Sequence, residues 1–530
     1  MKNPEPAAKL EEHTLSALAD TSGCLFHGGL KGIEKESLRV DSRGRLSDRA
    51  HPDALGSTLT HPEITTDYSE ALLEFITPPR QTAAETLEYL NSIQRFVYKN
   101  IRDEILWATS MPCLLGKDSD IPIAEYGSSN VGTMKHVYRR GLGYRYGRKM
   151  QTIAGVHFNF SLPEKFWPVW RATFGSELDD KGLRSKSYFG LIRNFQRHGW
   201  IVPYLFGASP AACSSFLDGR LEGFEKFDEH TIFLPHATSL RMSDIGYKNK
   251  AQDSLKISYN DIDSYVQGLW DAIEEPWPEY SKIGVKVDGE YRQLNDHLLQ
   301  IENEYYSFMR PKNVAESGEK PTLALKRRGV RYIEVRALDV NAFEPAGISL
   351  EQLHFLEVFL VYCMLAESPP IDDQERAEIN FNQSLVAVRG REPELALKRN
   401  GRDVLLRDWA DDILAKMRPV AALMDRCEPE SPYTAALDRQ LAVAADPDLT
   451  PSARMLAEMQ ERGESFFAFA LRKSQEHHAA ISEQALDAAT EQRMQREARD
   501  SLAAQAEIEA ADTLGFDEYL EHYFSQRLDD

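Results

Sequence analysis

The chain has no CxxC pair, no GxxxxGK[ST] loop, no clear GxGxxG turn and no surplus of basic residues. Each absence removes a class of function. The five cysteines, Cys24, Cys113, Cys213, Cys363 and Cys427, are scattered and odd in number. That pattern argues against structural zinc and a dense disulfide framework, and makes a reducing cytoplasm the expected compartment. Without a P-loop or Rossmann fingerprint, a nucleotide must be held in some other way. Lys plus Arg number 62 against 83 Asp plus Glu, a net charge of −21. Nucleic acid and anionic membranes are poor partners for such a surface, because phosphate binding wants a basic face. A nucleotide stays admissible, since a metal ion can bridge it to carboxylates. Residues 1–14 are polar and mixed in charge, lack the apolar centre of a signal peptide and read as a leader. The longest apolar run, Phe355 to Ala366, is broken by Glu357 and falls short of the ~18–20 residues that span a bilayer. No internal repeat or low-complexity linker is visible.

What is there is a chain of 530 residues, too long for one simple core. Strand-like stretches lie near 30–40 and 70–77, the second closed by Pro78 and Pro79. A helix follows, with Thr82 and Glu85 as a capping box and Leu87, Leu90, Ile93, Val97 and Ile101 as its apolar stripe. Residues 108–160 are rich in Gly, Tyr and basic side chains and read as a positively charged loop, a candidate anion site in so acidic a protein. Gln151 to Leu162 reads as a strand with His157, Asn159 and Ser161 on one face. Helical patterns recur near 186–197 and 260–274, and Pro203–Pro210 reads as a small-residue loop between them. Gln300–Tyr306 and Arg331–Leu338 are further strand candidates. From Ser349, paired with Gln352 as a cap, the texture becomes helical, and Thr450–Pro451 starts another helix. The expected layout is an α+β core over 15–345 and a helical region over 346–530.

The acidic residues carry the chemistry. In Gly32-Ile-Glu-Lys-Glu-Ser-Leu-Arg39, read as a strand, Glu34 and Glu36 share a face. In Arg331–Asp339, Glu334 and Arg336 share one, with Ile333 and Val335 on the other. Glu74, Asp67 and His157 can join them on one functional face. Buried together, such carboxylates repel unless a cation lies between them; exposed, they would be an ordinary solvated strand face. Hard cations such as Mg²⁺ take oxygen ligands and substrate phosphates, which converts an acidic site into one for phosphoryl transfer.

Several stretches in order closely resemble glutamate–cysteine ligase of the proteobacterial type. They are Gly32–Arg39, Thr65–Thr77, Gln151–Asn159, Ser239–Tyr247 and Tyr332–Arg336. The resemblance covers about 25–350 and weakens in the helical region. It implies a glutamine-synthetase-like curved antiparallel sheet forming a funnel-shaped site, with ATP and Mg²⁺ (Mn²⁺ as the alternative) as cofactors. By the family pattern the metal ligands are Glu34, Glu36, Asp67, Glu74, His157 and Glu334. Glu334 and Arg336 sit at the phosphoryl transfer. Tyr138, Arg139, Gln151, Arg241, Tyr247 and Tyr306 form the cysteine site. Arg310 and Lys312 are additional candidates for ATP phosphate contact, with a solvent-facing role as the alternative. The implied reaction joins the γ-carboxylate of L-glutamate to the amine of L-cysteine through a γ-glutamyl phosphate, the first step of glutathione synthesis. The alternatives are another carboxylate–amine ligase with a different acceptor, or a metal-dependent hydrolase. Cys113 and Cys213 read as small buried apolar residues. Oligomeric state is left open, and a monomer is compatible with everything above.

Overall fold

The computed structural model describes residue 18 and residues 24–217, 222–245, 255–316 and 318–528. The leader expected over 1–14 and the cysteine-site candidate Tyr247 lie outside the described residues. The organising element is an antiparallel sheet of seven strands: β1 (Lys31–Val40), β2 (Ile64–Thr66), β3 (Leu72–Ile76), β4 (Ile105–Leu106), β5 (Gly155–Phe160), β6 (Met309–Lys312) and β7 (Tyr332–Asp339). Their order is β6-β7-β5-β1-β3-β2, with β4 paired to one end of β1. Strands remote in sequence thus become neighbours. Glu34 lies opposite His157 and Ile76, Glu36 opposite Glu74, and Glu334 opposite Asn159.

β1 is buried along nearly its whole length, on both faces. The face away from the acids carries Lys31, Lys35 and Arg39, each with a buried partner. Lys31 Nζ lies 3.0 Å from Glu357, Lys35 Nζ donates to Gln94 at 2.6 Å, and Arg39 Nη1 donates to Glu104 at 2.9 Å. Helices α1 (Ala83–Asn100) and α4 (Leu350–Leu365) supply the first two of these partners. Both helices start at the expected capping boxes, Thr82/Glu85 and Ser349/Gln352. α4 also packs on α3 (Asp180–His198). Further on, α5 (Ala488–Ala511) and α6 (Phe516–Ser525) return to the sheet side of the molecule. Among the described residues, no helix is long and apolar enough to cross a membrane.

Four expectations are corrected. The basic stretch is not a loop: residues Asn130–Tyr146 form helix α2, capped by the Ser129 side chain accepting from Gly132 N. Its glycines lower helix propensity, but they are sites of close approach. A Cβ at Gly132 would overlap the Tyr126 carbonyl, and one at Gly141 would overlap the Gln300 amide. Pro203–Pro210 is half helix, since Ile201–Phe206 is helical with buried residues throughout. Gln300–Tyr306 is no strand; it holds a 3-10 turn at Glu302–Glu304 anchored by Glu304, which pairs with Arg145 at 3.0 Å. The strand lies just beyond, as β6.

The cysteines are the fourth correction. Cys24 is bonded to Cys427 and Cys113 to Cys213, leaving Cys363 free and buried. The partners are 403 and 100 residues apart, so spacing along the chain carries no sign of either pair. Cys24–Cys427 ties the turn leading into β1 to the helical region, where His27 also meets Glu428 at 2.9 Å.

His198, at the C-terminal end of α3, packs against the rings of Tyr362 and Trp409, and neither ring nitrogen has a hydrogen-bond partner among the described residues. Burial pushes its imidazole down from 6.5 to about 3. The folded protein therefore binds fewer protons here than the unfolded chain between those values, and stability falls as pH drops from 6.5 toward 3. His198→Phe should remove this component, on the order of 5 kcal/mol at its full extent. Urea midpoints of parent and variant should diverge in favour of the variant as pH is lowered from 7 to 4. A constant difference across that range would rule the effect out.

Candidate active site

The front face of the sheet gathers the predicted acids around His157. The imidazole Nδ1 lies 3.2 Å from Glu34 and 3.5 Å from Glu334, and Nε2 lies 3.8 Å from Glu36. One ligand atom each from Glu34, Glu74 and His157 fall within 4.8 Å of one another. Asp67 closes the cluster from the tight β2–β3 turn, where its N–H donates to Leu72 O at 2.9 Å. None of this is a solvated strand face: Glu36 is 5 %, His157 3 % and Glu334 1 % exposed.

The two ends of the cluster handle their charge differently. At the β7 end, burial favours a protonated Glu334, but Lys312, Arg336 and His157 outweigh it and hold the carboxyl well below its usual range. Arg336 Nη1 donates to Glu334 Oε1 at 3.1 Å, and Lys312 Nζ stands 3.6 Å from Oε2. At the β1–β3 end there are too few cations. Burial and the neighbouring Asp67 push Glu36 up to about 8, and burial with Glu34 pushes Glu74 well above its usual range. Positive charge placed beside these two carboxyls would favour their ionised form. Carboxylate oxygens at this spacing, with one imidazole, are a donor set for hard divalent cations. The fit is supported by buried acceptors, Glu334 Oε2 and Asn159 Oδ1, that find no hydrogen-bond partner among the described residues.

Arg336 owes its position to a bulge. β7 gains one residue against β5 between Val335 and Leu338, while on its other side Arg336 N donates to Phe308 O at 2.8 Å, extending the pairing with β6. Arg241 sits beneath, 1 % exposed, donating to Arg336 O at 3.0 Å and to Met242 Sδ at 3.1 Å. Tyr306 OH reaches the same sulfur at 3.0 Å. Gly155 makes room: a Cβ there would overlap the Arg241 guanidinium, while Gly155 N donates to Glu36 Oε2 at 2.6 Å.

Residues 15–386 match the family model for glutamate–cysteine ligase. The chain belongs to the glutamate–cysteine ligase family. It is 52 % identical to the glutamate–cysteine ligase of Pseudomonas paraeruginosa over 494 residues, 93 % of this chain and 94 % of that one. With the enzyme of Alcanivorax borkumensis the identity is 50 % over 522 residues, 97 % and 99 % of the two chains. The crystal structure of glutamate–cysteine ligase from Francisella tularensis in complex with AMP superposes with a TM-score of 0.89 at 37 % identity, covering 94 % of this chain and 98 % of that one. A bifunctional glutathione synthetase from Pasteurella multocida shares the fold, with a TM-score of 0.69 at 24 % identity over 88 % of this chain and 54 % of that one. Like its family, the chain is an ATP-dependent ligase that forms γ-glutamylcysteine, the first step toward glutathione.

In this ligase the predicted metal set is assembled on one face, and Arg336 and Lys312 stand at its edge. Arg310 lies opposite Glu334 in the ladder, but its guanidinium is engaged by the carbonyls of Asn303 and Tyr305. Arg139, on α2, donates to the Asp67 carbonyl and stacks 4.6 Å over Tyr126. Tyr138 precedes it, its carbonyl accepting from Gln300 Nε2 at 3.1 Å. Gln151 lies half-buried in the turn after α2. Three residues escape sequence reasoning as site components. Asn159 donates to Glu34 Oε1 at 2.8 Å, Tyr126 supports both Arg139 and the Asp67 carbonyl, and Gly155 clears space for Arg241. The alternation of β5 put Asn159 on the His157 face, and that was the one available signal.

Gly155→Ala should displace Arg241 and cost about 100-fold in kcat/KM, the scale of a 1 Å misplacement in a site. Circular dichroism should show the fold retained. Parent-like kcat/KM would show that this contact does not position the site.

Proposed function

We propose that Glu34, Glu36, Asp67, Glu74, His157 and Glu334 hold Mg²⁺, or Mn²⁺ in its place, and that the site phosphorylates the γ-carboxylate of glutamate before cysteine attacks. The observation that carries the reading is the convergence of these side chains on one sheet face, with ligand atoms of Glu34, Glu74 and His157 within 4.8 Å of one another and Glu36 and Glu334 beside the same imidazole. Divalent ions, when bound, neutralise the phosphates of ATP and stabilise charge on the transferring group. That the Francisella relative was solved in complex with AMP supports nucleotide binding by this fold.

The remaining work falls to this chain's side chains. Arg336 stays ionised beside the acids and donates to the phosphoryl group in flight. Lys312 and Arg310 hold Glu334 as a carboxylate and lie within reach of phosphate oxygens. A γ-carboxylate oxygen attacks the terminal phosphorus and ADP leaves. The cysteine amine, having lost a proton, then attacks the acyl carbon, and phosphate departs with the carboxylate oxygen. Tyr138, Arg139, Gln151, Arg241 and Tyr306 line the acceptor pocket, Tyr247 is assigned to the acceptor by the family pattern alone, and α2 excludes the water that would hydrolyse the acyl phosphate.

Two measurements test this. Glu34→Gln, Glu36→Gln and Glu334→Gln should each lower kcat by at least about 100-fold and weaken Mn²⁺ binding followed by electron paramagnetic resonance. Parent-like turnover and Mn²⁺ affinity in any two of them would overturn the ligand set. Glutamate carrying heavy oxygen in its γ-carboxyl group should place one heavy oxygen in each inorganic phosphate released. Unlabelled phosphate alongside authentic product would exclude the acyl phosphate.

A further inference from the structure

Helix α2 carries Tyr138 and Arg139; Leu142 near its end packs on the main core, but the apolar residues of its first half do not. Met134 and Val137 form a separate buried cluster with Leu294 and Leu520 of α6, and Tyr138 packs against that cluster. The head of α2 is held by the same C-terminal segment. A helix start leaves backbone N–H groups that need acceptors. Ser128 N donates to Glu509 Oε1 at 2.8 Å, and Asn130 N donates to Asp512 Oδ2 at 2.5 Å. The Asn130 side-chain amide donates to Leu514 O at 3.0 Å. These partners are more than 380 residues away in sequence. Two glycines with positive φ give α5 its seat: a Cβ at Gly56 would overlap Ser501, and one at Gly127 would overlap Gln505 and Glu509. Farther along, Asp517 of α6 pairs with Lys286 at 2.9 Å and accepts from Tyr291 OH at 2.6 Å.

We propose that α5 and α6 form a positioning strap for the amine-acceptor pocket. Asp512 and Glu509 fix the head of α2, Leu520 backs its middle, and together they set where Tyr138 and Arg139 stand. This rests on the reading that α2 lines the cysteine site. The strands of the metal face pair with one another; the strap reaches their margin through Arg493 of α5, which pairs with Glu63 at 2.9 Å, whereas Asp512 and Leu520 make their contacts at α2. Loosening it therefore weakens selection of the acceptor while leaving glutamate and ATP handling in place.

The experiment uses the full chain with Asp512→Ala, Asp512→Asn, Leu520→Ala and, as reference, Tyr138→Leu. Apparent KM is measured separately for cysteine, glutamate and ATP, together with Tm and the rate with 2-aminobutyrate in place of cysteine. Asp512→Ala and Leu520→Ala should raise the cysteine KM about five- to tenfold and narrow the preference for cysteine over 2-aminobutyrate, with glutamate and ATP KM within about twofold of parent. Asp512→Asn keeps an acceptor oxygen for Asn130 N and should restore most of the loss. The proposal is overturned if all KM values move together with a fall in Tm, which is a merely structural role. It is overturned alone if Tyr138→Leu raises the cysteine KM and neither Asp512→Ala nor Leu520→Ala does. If Tyr138→Leu leaves the cysteine KM unchanged, the acceptor-site reading fails, and the strap falls with it.

Discussion

Mutual repulsion among buried carboxylates is the constraint the rest of the structure answers to. Two unit charges ~4 Å apart interact by about 4 kcal/mol at an effective dielectric of ~20. Glu34, Glu36, Glu74 and Glu334 are brought to one face by strand pairing, with Asp67 at its edge. A sheet with so much like charge at its centre would open unless that charge were met. Around Glu334 it is met by Lys312, Arg336 and His157, while burial and neighbouring acids push Glu36 and Glu74 upward.

Strand β1 shows how the fold sustains this. Its side chains alternate between acids at 34 and 36 in front and cations at 31, 35 and 39 behind. Each rear cation is buried and engaged by a separate part of the chain: Lys31 by Glu357 on α4, Lys35 by Gln94 on α1, Arg39 by Glu104 ahead of β4. Breaking a buried pair by removing one partner typically costs ~3–5 kcal/mol, because the survivor is left uncompensated. These contacts thus hold the strand in register, and a slip of one residue would exchange its acidic and basic faces.

Period-two alternation made this site legible in the sequence. It placed Glu34 with Glu36, Glu334 with Arg336, and His157 with Asn159, and the strands keep those faces. Caps made α1 and α4 legible for an equally local reason. What stayed hidden depends on partners far away. α2 looked like a loop because its glycines suit turns, whereas they are there for Tyr126 and Gln300 to come close. The bulge at Arg336 follows from pairing with β5 and has no local sign. Both disulfides join residues a hundred or more positions apart.

The two halves of the site are therefore built on different terms. The proposed metal face rests on a sheet whose strands fix one another by ladder bonds and buried charge pairs. The proposed acceptor face rests on a helix of weak intrinsic propensity, with Gly132, Gly141 and Gly143 in its length, held in place from outside. That division suits a reaction in two steps. Phosphoryl transfer tolerates little movement among charged groups, since their stabilising effect depends on preorganisation. The acceptor must enter after the acyl phosphate forms, and its wall must admit an amine without admitting water. A helix with low propensity of its own and firm external contacts can be set accurately while remaining adjustable through those contacts. On the proposed assignment, the rigid face governs the rate of activation and the supported face governs which amine is joined.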